Sequence, residues 1–250
     1  MKKDVQGIIL LLVGVMVLRL TLGDQFLFYV AEGMRPWLVL AGSALVGFGG
    51  YALWEAWRES RVAPGGGNRE SAAEIVVIDD EGDGHDHSRG PRIAYLLLLP
   101  VLAVYVVAPS ALGSFSAARQ ATTSTAPPLD LDMPALSATD LADLPLRDYV
   151  VRAVWDGGET LRGRTLQMTG FVTPDPAGGW WLTRMSMACC AADAQASRIK
   201  VLDTADLPAD TWVQVRGSWL EGGGLNDPQA IPVVKATSVT PVATPRNPYE

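Results

Sequence analysis

Val5–Leu22 reads VQGIILLLVGVMVLRLTL, eighteen residues with Arg19 as the only charge. At 1.5 Å rise per residue such a run is about 27 Å long, close to the roughly 30 Å hydrocarbon core of a bilayer. Two further runs share its character: Trp37–Trp54, WLVLAGSALVGFGGYALW, and Ile93–Leu112, IAYLLLLPVLAVYVVAPSAL. Apolar residues make up 48% of the 250, and their concentration into these runs predicts three transmembrane helices rather than buried helices of one large core. Lys2-Lys3 before an apolar stretch also begins a signal peptide. The run closes on Leu20-Thr-Leu-Gly-Asp24 without a small-x-small cleavage site, so it reads as a retained helix. Arg19, near its far end, is expected to snorkel to the headgroups.

Basic residues orient these helices. Lys2 and Lys3 precede the first, and Arg58, Arg61, Arg69, Arg89 and Arg92 lie between the second and third, while Gly23–Pro36 offers only Arg35. The positive-inside bias puts the N-terminus and residues 55–92 in the cytoplasm and everything after the third crossing outside. Phe26–Ala31, in the outer loop, is apolar but too short to cross; it lies in the interface or packs on the helices. The second span is rich in small residues (Gly42, Ser43, Gly47, Gly49, Gly50), which allow close helix approach within the chain or with another subunit.

The loop 55–92 is acidic and holds both histidines of the chain, in Asp79-Asp-Glu-Gly-Asp-Gly-His-Asp-His87. Its start imitates a calcium loop, but Gly90 stands where a bidentate Glu is required, so an EF-hand is excluded. His85, Asp86 and His87 are candidate ligands for weak divalent metal binding, against the plainer reading of a solvated acidic loop.

Residues 113–144 read as an extracytoplasmic stalk, low in complexity over QATTSTAPPLDLDMP. After it, Leu146, Tyr149, Val150, Ala153 and Val154 fall at helical spacing and predict one amphipathic helix, Leu146–Trp155. Short strands follow at Leu166–Val172, Trp180–Met185, Arg198–Leu202, Trp212–Leu220 and Pro232–Val239, with a short alanine-rich helix beginning at the cysteines. Five strands with a helical insertion predict a small mainly-β domain over 145–242, an OB-like barrel first and a β-sandwich second, with 243–250 as a tail. Five of the eight tryptophans fall in it, enough apolar area to make a core. From Pro145 to Glu250 there are ten Lys/Arg and eleven Asp/Glu, net −1, so the basic footprint of a nucleic-acid binder is missing.

The only cysteines are adjacent, Cys189 and Cys190. With no histidine beyond His87, the domain can assemble neither a Cys–His dyad nor a Ser–His–Asp triad, and it holds no CxxC motif. A non-enzymatic role follows. Four readings of the pair stay open: buried small hydrophobes, a strained vicinal disulfide, thiolates activated by a helix N-terminus and by Arg184 or Arg198, or two sulfur ligands to a soft metal completed by Asp193, Met185, Met187 or a partner.

Taken in order, Leu146-Arg-Asp-Tyr-Val150, Gly163-Arg-Thr-Leu-Gln-Met-Thr-Gly-Phe-Val-Thr173, Trp181-Leu-Thr-Arg184, Cys189-Cys-Ala-Ala-Asp-Ala194 and Asp210-Thr-Trp-Val-Gln-Val-Arg-Gly217 make a familiar series. The chain resembles the YcgQ-type bacterial family of membrane permease subunits over nearly its whole length, most specifically in the CCAADA block. The resemblance implies a companion role beside a polytopic permease and a link to zinc-responsive regulation. It marks Cys189, Cys190 and Asp193 as matching positions without a catalytic role. The expectation is a multi-pass membrane protein serving as an accessory subunit, with zinc or another soft metal as its ligand. The alternatives are an extracytoplasmic thiol and metal-binding module, or a structural envelope protein.

Overall fold

The computed structural model describes residues 3–62, 99, 103, 110–120, 135–136, 141–222, 227 and 230–250. They fall into two compact units, Met1–Gly23 with Arg35–Pro109, and Asp24–Met34 with Ser110–Glu250. The third apolar run, Ile93–Leu112, lies outside the described residues apart from a few positions, as do His85, Asp86 and His87.

The first unit contains helices α1 (Lys3–Leu22) and α2 (Arg35–Val62), both long and apolar enough to cross a membrane. Pro36 sits in the first turn of α2, where its fixed φ suits a helix start and no backbone N–H is missed. With 28 residues α2 is about 42 Å long, so it outruns the hydrocarbon core. The excess lies beyond Trp54, where the Arg58 guanidinium stands 4.6 Å from the Trp54 ring and Arg61 stands 3.6 Å from Trp57. Aromatic and cationic side chains of this kind populate the headgroup level. Arg19 is exposed in the last turn of α1, consistent with snorkelling.

Glycines hold α1 and α2 together. A Cβ placed on Gly14 would stand 2.8 Å from the Val46 amide nitrogen and 2.9 Å from the Gly42 carbonyl oxygen. One on Gly49 would stand 2.7 Å from the Leu11 nitrogen and 2.9 Å from the Gly7 oxygen. Gly7 and Gly14 thus interlock with Gly49 and Gly42 in an antiparallel seam. In lipid, where burial gives helices no hydrophobic drive toward each other, such close approach is how they gain contact. Gly47 and Gly50 take no part in this seam: a Cβ on either meets nothing within 4 Å among the described residues.

The second unit is built on a closed barrel. Its elements are α3 (Ser114–Arg119), β1 (Leu141–Asp143), α4 (Leu146–Trp155), β2 (Thr165–Pro174), β3 (Trp180–Ser186), β4 (Gln195–Leu202), β5 (Trp212–Leu220) and β6 (Val233–Pro241). The sheet order is β1-β2-β3-β4-β6-β5, and β2 also pairs with β5, which closes five strands on themselves; the sandwich does not form. Only β4–β6 and the added β1–β2 pair are parallel. Leu166, Met168, Val172, Leu182, Ile199, Val213, Val215 and Val234 fill the interior by the two-residue alternation of strands. Gly170 lies where β2 passes from β5 to β3, and a Cβ there would come within 2.5 Å of the Thr183 carbonyl oxygen. The helix that covers the core, α4, precedes the five barrel strands, as its position in the sequence indicated. Along α4, Leu146, Tyr149, Val150 and Val154 are fully buried, and the Tyr149 hydroxyl donates to the Val233 carbonyl at 2.7 Å.

A second apolar cluster lies outside the barrel wall: Ala117, Phe171, Met185, Ala194, Ala196 and Tyr249. It forms because segments read as stalk and tail are built into this unit. Within 113–144, β1 adds to the sheet, and α3 is held by Arg198, whose Nη2 donates to the Ala117 carbonyl and, at 2.9 Å, to that of Gln120. At the helix's other end the Asp210 carboxylate accepts from the Ser114 amide and hydroxyl at 2.6 and 2.8 Å. In the tail, the amide of Glu250 donates to the Met185 carbonyl at 2.9 Å. The Glu250 carboxylate accepts from the Leu146 and Arg147 amides at 3.0 and 3.1 Å, capping α4 from about a hundred residues away. Burial raises this carboxyl above its usual range, against the opposing pull of those amides and of Arg184.

Candidate functional site

Strand β3 ends at Ser186 and β4 begins at Gln195, a residue paired directly with it. The connection between them carries Cys189, Cys190 and Asp193. The anticipated alanine-rich helix is a single 3₁₀ turn, Ala191–Asp193, with Cys190 as its N-cap. The spacing Cys190-x-x-Asp193 is that of a capping box, and the carboxylate uses it fully. Asp193 Oδ1 accepts from the Ala188 amide at 2.8 Å, and Oδ2 accepts from Cys189 and Cys190 at 2.8 and 3.1 Å. A hydrogen bond with the Cys189 thiol, and then three converging amides, hold the Asp193 carboxyl down at about 2.

The thiol responds in the opposite sense. Its hydrogen bonds to Asp193 first and to Cys190 second push Cys189 up to about 11, because the adjacent carboxylate favours the protonated sulfur. The Cys189 thiol is therefore protonated at neutral pH. One ligand atom from each of Cys189, Cys190 and Asp193 lies within 4.8 Å of the others. A carboxylate has about four lone-pair directions, and amides take three here. The fourth serves the thiol proton.

These features bear on the four readings of the pair. Cys189 is exposed, Cys190 is intermediate and both are free, so they are neither core packing nor a disulfide in this structure. Thiolate activation at Cys189 is reversed in sign by Asp193. The two arginines named for it are engaged elsewhere: Arg184 donates to the Asn247 carbonyl at 3.0 Å and lies 4.8 Å over the Trp212 ring, while Arg198 holds α3. Met185 is wholly buried in the outer cluster, and Met187 packs against it. The ligand atoms of Cys189, Cys190 and Asp193 lie close enough together to share one ion.

The site has a neighbour that sequence reading missed. Val30 forms an antiparallel bridge with Cys190. The Ala31 amide donates to the Cys189 carbonyl at 3.0 Å, and the Ala191 amide donates to the Tyr29 carbonyl at 2.7 Å. Phe26–Ala31 thus packs on the barrel unit as an added piece of backbone. The Tyr249 hydroxyl donates to the Phe28 carbonyl at 3.2 Å, and the Arg246 guanidinium pairs with Asp24 at 2.7 Å. Only the apolar character of Phe26-Leu-Phe-Tyr-Val signalled a packing role. Elsewhere on this unit, a groove of about 570 Å³ is lined by Phe28, Leu112, Phe115, Phe171, Asp210 and Trp212 among others, and does not include the cysteines.

Residues 150–250, which span the five barrel strands and the cysteine turn, match the family model described as DUF1980 C-terminal domain. No curated protein and no solved structure matches the chain.

Proposed function

We propose that this protein is a membrane-anchored, non-enzymatic accessory subunit that binds a soft or borderline divalent metal ion, of which zinc is the representative, through Cys189, Cys190 and Asp193. The observation that carries the reading is the clustering of their three ligand atoms within 4.8 Å. A metal ion bound there displaces the thiol proton of Cys189. Two sulfurs and one oxygen suit zinc better than calcium or magnesium, which favour all-oxygen sets. A three-residue set leaves the fourth position of a tetrahedral ion to water or to a donor from a partner, as suits an ion that must leave again. In this reading His85, Asp86 and His87 make a separate, weaker site.

The reading has the chain cross the bilayer three times, with Ile93–Leu112 as the third span. Lys2, Lys3 and the arginine-bearing loop stay in the cytoplasm, and the barrel stands outside. The barrel is read as OB-like, a reading supported by its strand order and by the parallel β4–β6 pair. The partner is a polytopic permease, as the resemblance to the YcgQ-type family implies; among the described residues nothing packs on α2 at Gly47 and Gly50, which leaves room there for another membrane helix.

The test is zinc retained per chain after gel filtration of the detergent-solubilised protein, wild type against Cys189→Ser/Cys190→Ser. One zinc held by the wild type and none by the variant supports the reading; equal metal content in the two overturns it. Gentle solubilisation should also recover a larger membrane protein, and a lone chain under every mild detergent overturns the subunit role.

A further inference from the structure

The cysteine turn holds two things at once: a candidate ion through its side chains and the connection between α1 and α2 through its backbone. We propose that metal occupancy at Cys189, Cys190 and Asp193 tightens the pairing of this turn with Tyr29–Ala31, making that connection a read-out of the bound ion. The inference rests on the metal-binding reading and adds what binding does.

The geometry carries it. The two hydrogen bonds, Ala31 N–H to Cys189 C=O at 3.0 Å and Ala191 N–H to Tyr29 C=O at 2.7 Å, lie on either side of Cys190, itself bridged to Val30. Both sulfurs project from the residues that make these contacts. Without metal, the turn is closed by backbone amides on the Asp193 carboxylate, from Ala188, Cys189 and Cys190. An ion bonded to all three side chains cross-links residues 189 to 193 and removes the open forms of the turn. The open forms are the ones that release Tyr29–Ala31, so the ion has differential affinity for the paired state. By linkage the pairing must then strengthen metal binding by the same factor. The connection is independently fixed at its start by Arg246 on Asp24 and by Tyr249 on Phe28, so a change at Tyr29–Ala31 is local rather than a detachment of the whole segment.

The experiment is hydrogen–deuterium exchange on the full chain in detergent micelles, with and without zinc, followed in peptides covering residues 28–33 and 188–193. Zinc bound to the same sample is measured by equilibrium dialysis. Exchange at both segments should slow by about tenfold with zinc in the wild type and stay unchanged in Cys189→Ser/Cys190→Ser. Ala31→Pro, which deletes one donor, should weaken zinc binding by roughly two- to tenfold. Zinc bound with unchanged exchange at residues 28–33, or full affinity in Ala31→Pro, overturns the coupling and leaves the metal site standing. Failure of zinc to bind the wild type overturns both.

Discussion

Replacing Asp193 by Asn tests the central electrostatic claim, that this carboxylate keeps the Cys189 proton in place. The Cys189 thiol stands at about 11 against an ordinary value of 9.0, with the Asp193 hydrogen bond as the largest cause. At a pH of about 8 the thiolate is then about one part in a thousand, and a return to the ordinary value would raise it to about one in ten. That is about a hundredfold more reactive species. A thiolate of lower basicity is also a weaker nucleophile, and with a Brønsted coefficient of about 0.4–0.5 two units cost roughly tenfold. The net result is labelling of Cys189 faster by up to about tenfold, the remainder being limited by the smaller contribution of Cys190. The assay is iodoacetamide labelling of the full chain in chelator, with tandem mass spectrometry separating Cys189 from Cys190. Asn retains a carbonyl oxygen that accepts amides, and slow amide exchange at Ala188–Cys190 would verify that the turn persists. Unchanged or slower labelling of Cys189 in a variant with that turn intact refutes the reasoning.

Zinc affinity should rise with pH, because the metal displaces a proton from a thiol whose pKa lies above the working range; Cys189 alone contributes about tenfold per pH unit between about pH 6 and 8. A flat titration by competitive dialysis would rule out proton displacement at this sulfur. In the first unit, Gly14→Leu or Gly49→Leu should force α1 and α2 apart, since even a methyl meets backbone at 2.8 and 2.7 Å, whereas Gly47→Leu should leave the pair intact. Thermal unfolding in detergent reads the difference, and equal loss in all three variants would contradict the seam. Tyr149→Phe leaves the buried packing of α4 in place but strands the Val233 carbonyl, costing about 1–3 kcal/mol in chemical denaturation. A change below about 0.5 kcal/mol would show that this carbonyl finds another donor.

The barrel was legible where local pattern decides structure. The helix Leu146–Trp155 and the strand Trp212–Leu220 have the bounds that spacing predicted, because apolar period alone separates their buried and exposed faces. The other strands run one to three residues beyond at least one predicted end, where pairing partners continue the ladder, although β6 starts one residue later than predicted. Cys189, Cys190 and Asp193 were legible as a group because they lie within five residues. What escaped were contacts between positions far apart in sequence. Glu250 on the N-terminus of α4, Asp210 on Ser114 and Ala31 on Cys189 join segments about a hundred residues apart or more. No periodicity announces such pairs, since each depends on how the closed sheet brings its ends together. The sign of the Cys189 shift was equally hidden: a sequence shows that an aspartate stands four residues on, not that its oxygen turns back to the sulfur.

The barrel unit is discontinuous along the chain, and this changes how it can be handled. A soluble fragment beginning at Ser110 would omit Asp24–Met34, leaving the Cys189 carbonyl, the Ala191 amide and the donor of the Tyr249 hydroxyl to be satisfied by solvent. Metal affinities measured on that excised piece would describe an altered binding loop. Grafting residues 24–34 ahead of Ser110 through a flexible spacer would be the minimum for a water-soluble surrogate of the native protein.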